Sequence, residues 1–312
     1  MTERVHIICH RESGGGKGKK VLFEAQRILT GFNVDYLTYY TDYATHAYSL
    51  AQSIVMRGHK PYTHKLLVIG GDGTLHEVVN ALHQSNLNIP LTYIAAGTGN
   101  DFNRAWQNNK TIREIIETMI YARTAVKIPI FTYEESVTQS SGIVLNSMGF
   151  GFDAETNYAA SRLPFGNFLK KLGLGSLTYF FAIFTTLNKI KSFDVELLVD
   201  NKPIQIQNCN LLSIMNNPFF GGGIRLDNLC EPDKAEISIL AIHDITAKGV
   251  LDLLPRILVT QTQHESPYTS RYTGQNIQIR LNKSIRGQVD GEDLTSIEAD
   301  LILGLSEFYF YL

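Results

Sequence analysis

This 312-residue sequence has few cysteines, little net charge and no long apolar run. Its three cysteines, Cys9, Cys209 and Cys230, are widely spaced and odd in number, with no CxxC pair. That excludes a disulfide framework and a cysteine-ligated zinc site, and fits a reducing cytoplasm. The formal net charge is −2, so the chain lacks the global basic footprint of a nucleic-acid binder, and no nucleic acid is expected among its partners. The first apolar run, Val5 to Cys9, is too short for the core of a signal peptide. The uncharged stretch Leu172 to Leu187 is broken by glycine, serine and threonine and falls short of the ~20 apolar residues that a spanning helix needs. No transmembrane segment is expected.

The rest of the composition is that of an ordinary globular protein, 44% hydrophobic and 19% charged, long enough for two domains with a core each. The first third alternates strand-like and helix-like segments. Val5 to Cys9, Val34 to Tyr39, Lys65 to Ile69 and Leu91 to Ala95 read as strands, with helical patterns between them. Asp42 is positioned to cap a helix carrying Ala44, Ala47, Tyr48, Ala51 and Ile54. This order implies a mostly parallel sheet with helices on both faces. Beyond residue 125 the pattern becomes β-rich, with turn signals at Asp200-Asn201 and Asn282-Lys283, which suggests an antiparallel sandwich or barrel. The expected domains are residues 1–125 and 126–312, with Glu307 to Leu312 able to pack on either. A helical island, Phe165 to Lys189, interrupts the strands. Its apolar side chains are bracketed by Lys170, Lys171, Lys189 and Lys191, which suits either an anionic bilayer surface or packing on the sandwich.

Two glycine loops carry the chemical signal. Gly70-Gly71-Asp72-Gly73-Thr74 follows a strand, and its glycines permit positive φ and close approach of a ligand to the backbone. Thr74 and Glu77 match a capping box, so a helix is expected to begin there and to offer N–H groups to a phosphate. Asp72 stands where a carboxylate orders Mg²⁺ through water, or else caps backbone. Gly97-Thr98-Gly99-Asn100-Asp101 repeats the device after the next strand, with Thr98 and Asn100 as polar contacts and Asp101 as a second carboxylate. Both loops lie at the carboxyl ends of expected parallel strands, where open α/β sheets bind ligands. A third segment, Ser13-Gly14-Gly15-Gly16-Lys17-Gly18, follows the first strand. It lacks the P-loop spacing, yet its amides and Lys17 suit a phosphate. His10 and Thr41, at the ends of the first two strands, are further candidates for nucleotide contact.

These residues resemble the catalytic domain of the diacylglycerol kinase family, which includes sphingosine and ceramide kinases. Gly70 to Thr74 with Leu75-His76-Glu77-Val78-Val79-Asn80 is similar to the family's GGDGTxxEVxN signature, and Gly97 to Arg104 to its GTGNDxAR signature. Gly149-Phe150-Gly151-Phe152-Asp153, Gly221-Gly222-Gly223 and Asp290-Gly291-Glu292 are similar to segments of its C-terminal lobe. The chain departs from the family pattern at His10-Arg11-Glu12-Ser13-Gly14, which stands for NPxSG, and at Ala95-Ala96. It departs again at Lys127 and Lys234, where aspartates are common.

The resemblance implies a Rossmann-like nucleotide-binding α/β domain joined to a β-sandwich. It implies an ATP- and Mg²⁺-dependent lipid kinase of the cytoplasm, working at the membrane surface, with diacylglycerol as the first acceptor and phosphatidic acid as its product. The implied nucleotide contacts are His10, Ser13, Gly14, Thr41, Gly70, Gly71, Asp72, Gly73, Thr74, Gly97, Thr98 and Asn100. Asp72 and Asp101 would hold Mg²⁺ through water. Asp290 or Glu292 would serve as the base, with Asp72 also in the catalytic set. An NAD kinase-like small-molecule kinase and a non-catalytic lipid- or nucleotide-binding module are the alternatives. Besides the lipid, a second copy of the chain is admitted as a partner.

Overall fold

The apolar runs of the first third form a parallel sheet in the order β2-β1-β3-β4: β1 (Arg4–Cys9), β2 (Asp35–Tyr40), β3 (His64–Gly70) and β4 (Leu91–Ala95). The structure is a computed structural model that describes residues 4–56, 64–86, 89–107, 110–151, 192–220, 222–297 and 300–312. Two units divide the chain, one of residues 1–128 with 307–312, the other of residues 129–306.

In the first unit the sheet is flanked by α1 (Ser13–Gly31), α2 (His46–Met56), α3 (Asp72–Gln84), α4 (Asp101–Trp106) and α5 (Ile112–Tyr121). Val5 and Ile7 of β1 are buried in one core cluster with Leu22 and Leu29 of α1 and Ile116 and Met119 of α5. Each such side chain contributes roughly 1.5–3 kcal/mol of burial free energy. The register pairs Cys9 with both Tyr40 and Ile69, and Gly70 with Ala95, so the four strands end at one edge. The end of the last strand returns here, with Phe310 paired to Leu91.

Two helix starts differ from expectation. The helix after β3 begins at Asp72 with Gly71 as its cap residue and no side-chain cap, so Thr74 and Glu77 form no capping box. Thr74 is instead buried against Gly70. Glu77 reaches across to α2, where its carboxylate accepts the N–H groups of Thr45 (3.0 Å), Ala47 (2.9 Å) and Tyr48 (3.3 Å). That helix starts at His46, and the cap expected of Asp42 is supplied by Glu77. A true capping box occurs at Thr111 and Glu114, which open α5.

The second unit is an antiparallel β-sandwich. Its strands are β5 (Val126–Glu135, entered from the first unit), β6 (Ser140–Val144), β7 (Ser147–Phe150), β8 (Phe193–Val199), β9 (Lys202–Met215), β10 (Phe219–Phe220) and β11 (Ile224–Arg225). β12 (Ile237–His243), β13 (Thr269–Gly274), β14 (Asn276–Leu281), β15 (Ile285–Val289), β16 (Glu292–Ile297) and β17 (Asp300–Phe310) follow. The strand order is β16-β15-β7-β9-β8-β14-β17, and β12 pairs with both β9 and β13. β8 and β14 alternate buried and exposed residues, as strands with one face on a core do. Their inward residues, including Phe193, Val195 and Ile279, join Phe131, Phe150 and Ile239 in the main cluster. A second cluster lies under α6 (Ala247–Pro255) and the π-helical turn Arg256–Thr260 that continues it. The island Phe165 to Lys189, along with Phe152, Asp153 and Gly221, lies outside the described residues.

Candidate active site

Each strand of the parallel sheet delivers one candidate segment to the same edge. His10 follows β1 and donates its backbone N–H to Ile69 O (2.9 Å), while Thr41 follows β2 and donates to Cys9 O (3.1 Å). Ala96, after β4, donates to Gly70 O (2.7 Å). The glycines then let three loops touch. A Cβ on Gly97 would lie 2.6 Å from Gly71 Cα, and one on Gly14 would run into the Ala96 carbonyl oxygen. Gly14, Gly15 and Gly16 all have positive φ (58°, 69° and 90°), a conformation that glycine adopts without strain. Ser13 is buried, with its Oγ 3.6 Å from the position of a Gly71 Cβ. Thus Ser13, Gly14, Gly71 and Gly97 meet at the carboxyl edge, beside His10, Thr41, Gly70 and Asn100. Thr98 is exposed there.

The two glycine loops are not equivalent. No side chain caps α3, so the start of that helix keeps its N–H groups for an anion. Gly73 and Thr74 lie in its first turn. At α4 the N–H groups of Asp101 and Phe102 donate to Asp72 Oδ2 and Oδ1, each at 3.2 Å. Asn100 precedes that helix in the left-handed region (φ 58°), which asparagine tolerates. Asp72 therefore ties the two loops together.

Asp72 and Asp101 also make a local negative field. Burial pushes the Tyr93 hydroxyl well above its usual range, and the charges of Asp72 and then Asp101 push it further. The Tyr93 hydroxyl donates to Gly70 O at 3.1 Å. Among the described residues no group of three or more His, Cys, Asp or Glu forms an all-protein metal cage. A pair of carboxylates is what Mg²⁺ uses when it keeps most of its water, so the donor set fits that ion and no tighter one. Arg11, part of the departure from NPxSG, was not among the expected nucleotide contacts. Its guanidinium lies 4.5 Å from the centre of the Tyr40 ring, and the only available cue was a cation directly after a strand of this edge.

In the second unit, Asp290 and Gly291 (φ 49° and 92°) form the two-residue turn of the β15–β16 hairpin. Asp290 is buried. Its carboxylate accepts the N–H groups of Leu145 (2.9 Å), Asn146 (2.7 Å) and Ser147 (3.0 Å), and its own N–H donates to Ser147 O (2.8 Å). Glu292 opens β16 and is exposed, and its carboxylate makes no hydrogen bond or ion pair among the described residues. Beside Asp290 lies a buried amide network that sequence reasoning missed. Asn217 donates to Asn146 Oδ1 (2.8 Å), and Asn216 donates to the carbonyls of Pro129 (2.8 Å) and Leu145 (2.9 Å).

Lys127 is exposed and paired with Glu307, with Tyr309 beside it. The hydrogen bond that its ammonium donates to Glu307 is the first cause of its raised pKa. Lys234 pairs with Glu231 at 2.8 Å. The three thiols are buried, and burial raises each of them, Cys9 and Cys230 to about 12. None is poised as a nucleophile.

An open parallel sheet with glycine segments along its carboxyl edge, joined to a β-sandwich, is the fold of the NAD kinase and diacylglycerol kinase type. A structure from Bacillus anthracis, described as a "putative diacylglycerol kinase", shares that fold with a TM-score of 0.74 at 20% identity, covering 99% of this chain and 95% of the other. Residues 4–130 match the diacylglycerol kinase catalytic domain, and residues 146–302 match the YegS C-terminal NAD kinase beta sandwich-like domain. The chain belongs to the family defined by the YegS C-terminal NAD kinase beta sandwich-like domain, and carries a diacylglycerol kinase catalytic domain before it. Among its relatives, "Putative lipid kinase YtlR" of Bacillus subtilis is 27% identical over 242 residues, 76% of this chain and 77% of that protein. "Putative lipid kinase SERP0390" of Staphylococcus epidermidis is 29% identical over 231 residues, 73% of this chain and 69% of that protein.

Proposed function

We propose that the chain is an ATP-dependent lipid kinase that transfers the γ-phosphoryl group to a lipid hydroxyl, with diacylglycerol as the leading acceptor and phosphatidic acid as the product. The observation that carries this reading is the convergence of Ser13-Gly14, Gly70-Gly71 and Gly97 beside the uncapped start of α3. Backbone N–H groups and a helix N-terminus at one edge suit the phosphates of ATP. Mg²⁺, held through water by Asp72 and Asp101, would offset charge on those phosphates. His10, Thr41, Thr98 and Asn100 line the same edge and orient the nucleotide.

Glu292 is the better base of the two candidates. Asp290 has three N–H donors on its two oxygens, whereas Glu292 is exposed and uncommitted. Glu292 takes the hydroxyl proton as the lipid oxygen bonds to the γ-phosphorus, and the bond to the bridging oxygen breaks to release ADP. The acceptor belongs to a membrane, so the protein would work at its surface.

Purified protein given γ-labelled ATP and Mg²⁺ with diacylglycerol, a sphingoid base or undecaprenol in micelles, or with NAD, should label a lipid. Asp72→Ala, which removes the tie between the loops, should label it at least tenfold more slowly. Label on NAD alone would move the reading to a small-molecule kinase. ATP binding with transfer to no acceptor would leave a binding module.

A further inference from the structure

A helix packed on a core ordinarily turns polar side chains outward. α6 and its π-helical continuation do the opposite. The inner side is filled by Leu253 and Ile257, with Val250, Leu254 and Leu258 half-buried against the same cluster. The outer side carries Leu251, 73% exposed, and Val259, 76% exposed, with exposed Pro255 between them in sequence. Regular α-helical pitch would carry Val259 round from the line of Leu251. The π turn takes more residues per turn and brings it back, and such turns often mark functional positions.

Charges around this ridge are arranged on one side of the balance. Arg256 Nε donates to Asp252 Oδ1 (3.0 Å), its Nη1 lies 3.7 Å from Glu265 Oε2, and Asp252 Oδ2 accepts from Ser266 Oγ (2.7 Å). Arg256 thus offsets one of the two neighbouring carboxylate charges. Lys248 on α6 and Arg225 on β11, which packs against the π turn, are exposed and form no ion pair among the described residues. Leu229, 43% exposed, extends the apolar surface, because the adjacent Asn228 is bonded to Gln261 O (2.8 Å) at the end of the π turn.

We infer that the ridge Leu251-Pro255-Val259 is a docking surface for an anionic lipid bilayer. Its apolar side chains enter the boundary between headgroups and acyl chains, and Lys248 and Arg225 face the lipid phosphates. The inference rests on the lipid-kinase reading, which brings the protein to a bilayer. No helix among the described residues is long and apolar enough to cross one.

The test is co-sedimentation with vesicles of phosphatidylglycerol and phosphatidylcholine, beside vesicles of phosphatidylcholine alone. The wild type should bind the anionic vesicles, and Leu251→Asp with Val259→Asp should bind them at least tenfold less. Val137→Asp, which alters an exposed apolar residue on the β5–β6 turn, should bind as the wild type does. Thermal unfolding checks that each variant is folded. The double variant should phosphorylate a monomeric short-chain lipid at the wild-type rate while losing activity on vesicles. Should no lipid be phosphorylated at all, the kinase reading fails, yet the binding comparison still reports on the ridge. Wild-type protein that ignores anionic vesicles, or a double variant that binds them equally, overturns the inference. So does a wild-type dimer that the double variant dissociates without any change in vesicle binding.

Discussion

Asp72 in the first unit and Asp290 in the second both sit in glycine turns, and both give their carboxylates to backbone N–H groups far away in sequence. Asp72 accepts two, from the start of α4, and Asp290 accepts three, from the turn between β6 and β7. Their neighbours differ. Asp72 shares its surroundings with Asp101 at an edge where N–H groups remain for a ligand, so the tie itself belongs to the site. Asp290 is closed into the sandwich, and the free carboxylate two residues on is Glu292. An aspartate that resembles a catalytic base in sequence can therefore be a strut, and the proposed reaction gives the role of base to the residue that the turn leaves outside.

The sharpest way to break this comparison is to separate strut from base. Glu292→Gln should lower kcat by ~10²–10⁴-fold, the range for loss of a general base, and leave thermal unfolding unchanged. Asp290→Asn should do the reverse in kind. Its one remaining carbonyl oxygen can serve Asn146 and Ser147, while the amide NH₂ faces the Leu145 N–H. Stability should fall by about 1–3 kcal/mol, any loss of rate following from the loosened turn. A Glu292→Gln enzyme with full activity, or an Asp290→Asn protein of wild-type stability that is inactive, would reassign the base to Asp290.

Much of the first unit was legible because its signals are local. Strand runs, glycine loops and the order of elements fall within short windows, and they defined the α/β domain and the edge where His10, Gly14, Gly71 and Gly97 gather. The carboxylate partners were not legible. Thr74-x-x-Glu77 and Thr111-x-x-Glu114 are the same pattern, yet only the second is a capping box, because Thr74 is drawn into the core and Glu77 finds α2. Asp290 to Asn146 is a separation of 144 residues, beyond any periodicity argument. The network of Asn146, Asn216 and Asn217 was equally silent, since asparagines in a β-rich stretch read first as turn residues.

Within the first unit, the contact between the loops can be tested by adding one methyl group. At Gly97 a Cβ would stand 2.6 Å from Gly71 Cα, a backbone atom that cannot swing aside, and 3.2 Å from the side-chain oxygen Asn100 Oδ1. Gly97→Ala should destabilise the fold by about 1–3 kcal/mol through overpacking. It should also weaken ATP binding by more than tenfold in a titration. Gly15→Ala is the control, since nothing lies within 4 Å of its Cβ position. Its positive φ strains the loop without pushing the two glycine loops apart, so ATP affinity should fall less. Equal losses in the two variants would mean that loop conformation, and not contact between loops, makes the site.

The smallest effect is expected at Lys127, the most conspicuous departure of this chain from the family pattern. Its ammonium already has a partner in Glu307 and an aromatic neighbour in Tyr309, all in the first unit and at an exposed surface. An exposed pair of this kind is screened by water and salt and contributes little. Lys127→Met should therefore leave the unfolding temperature and the rate of phosphoryl transfer at wild-type values, at low and at high salt alike. If the rate falls tenfold while stability holds, the lysine acts on the phosphates or their counter-ion, and the comparison of strut and base must admit a cation as well.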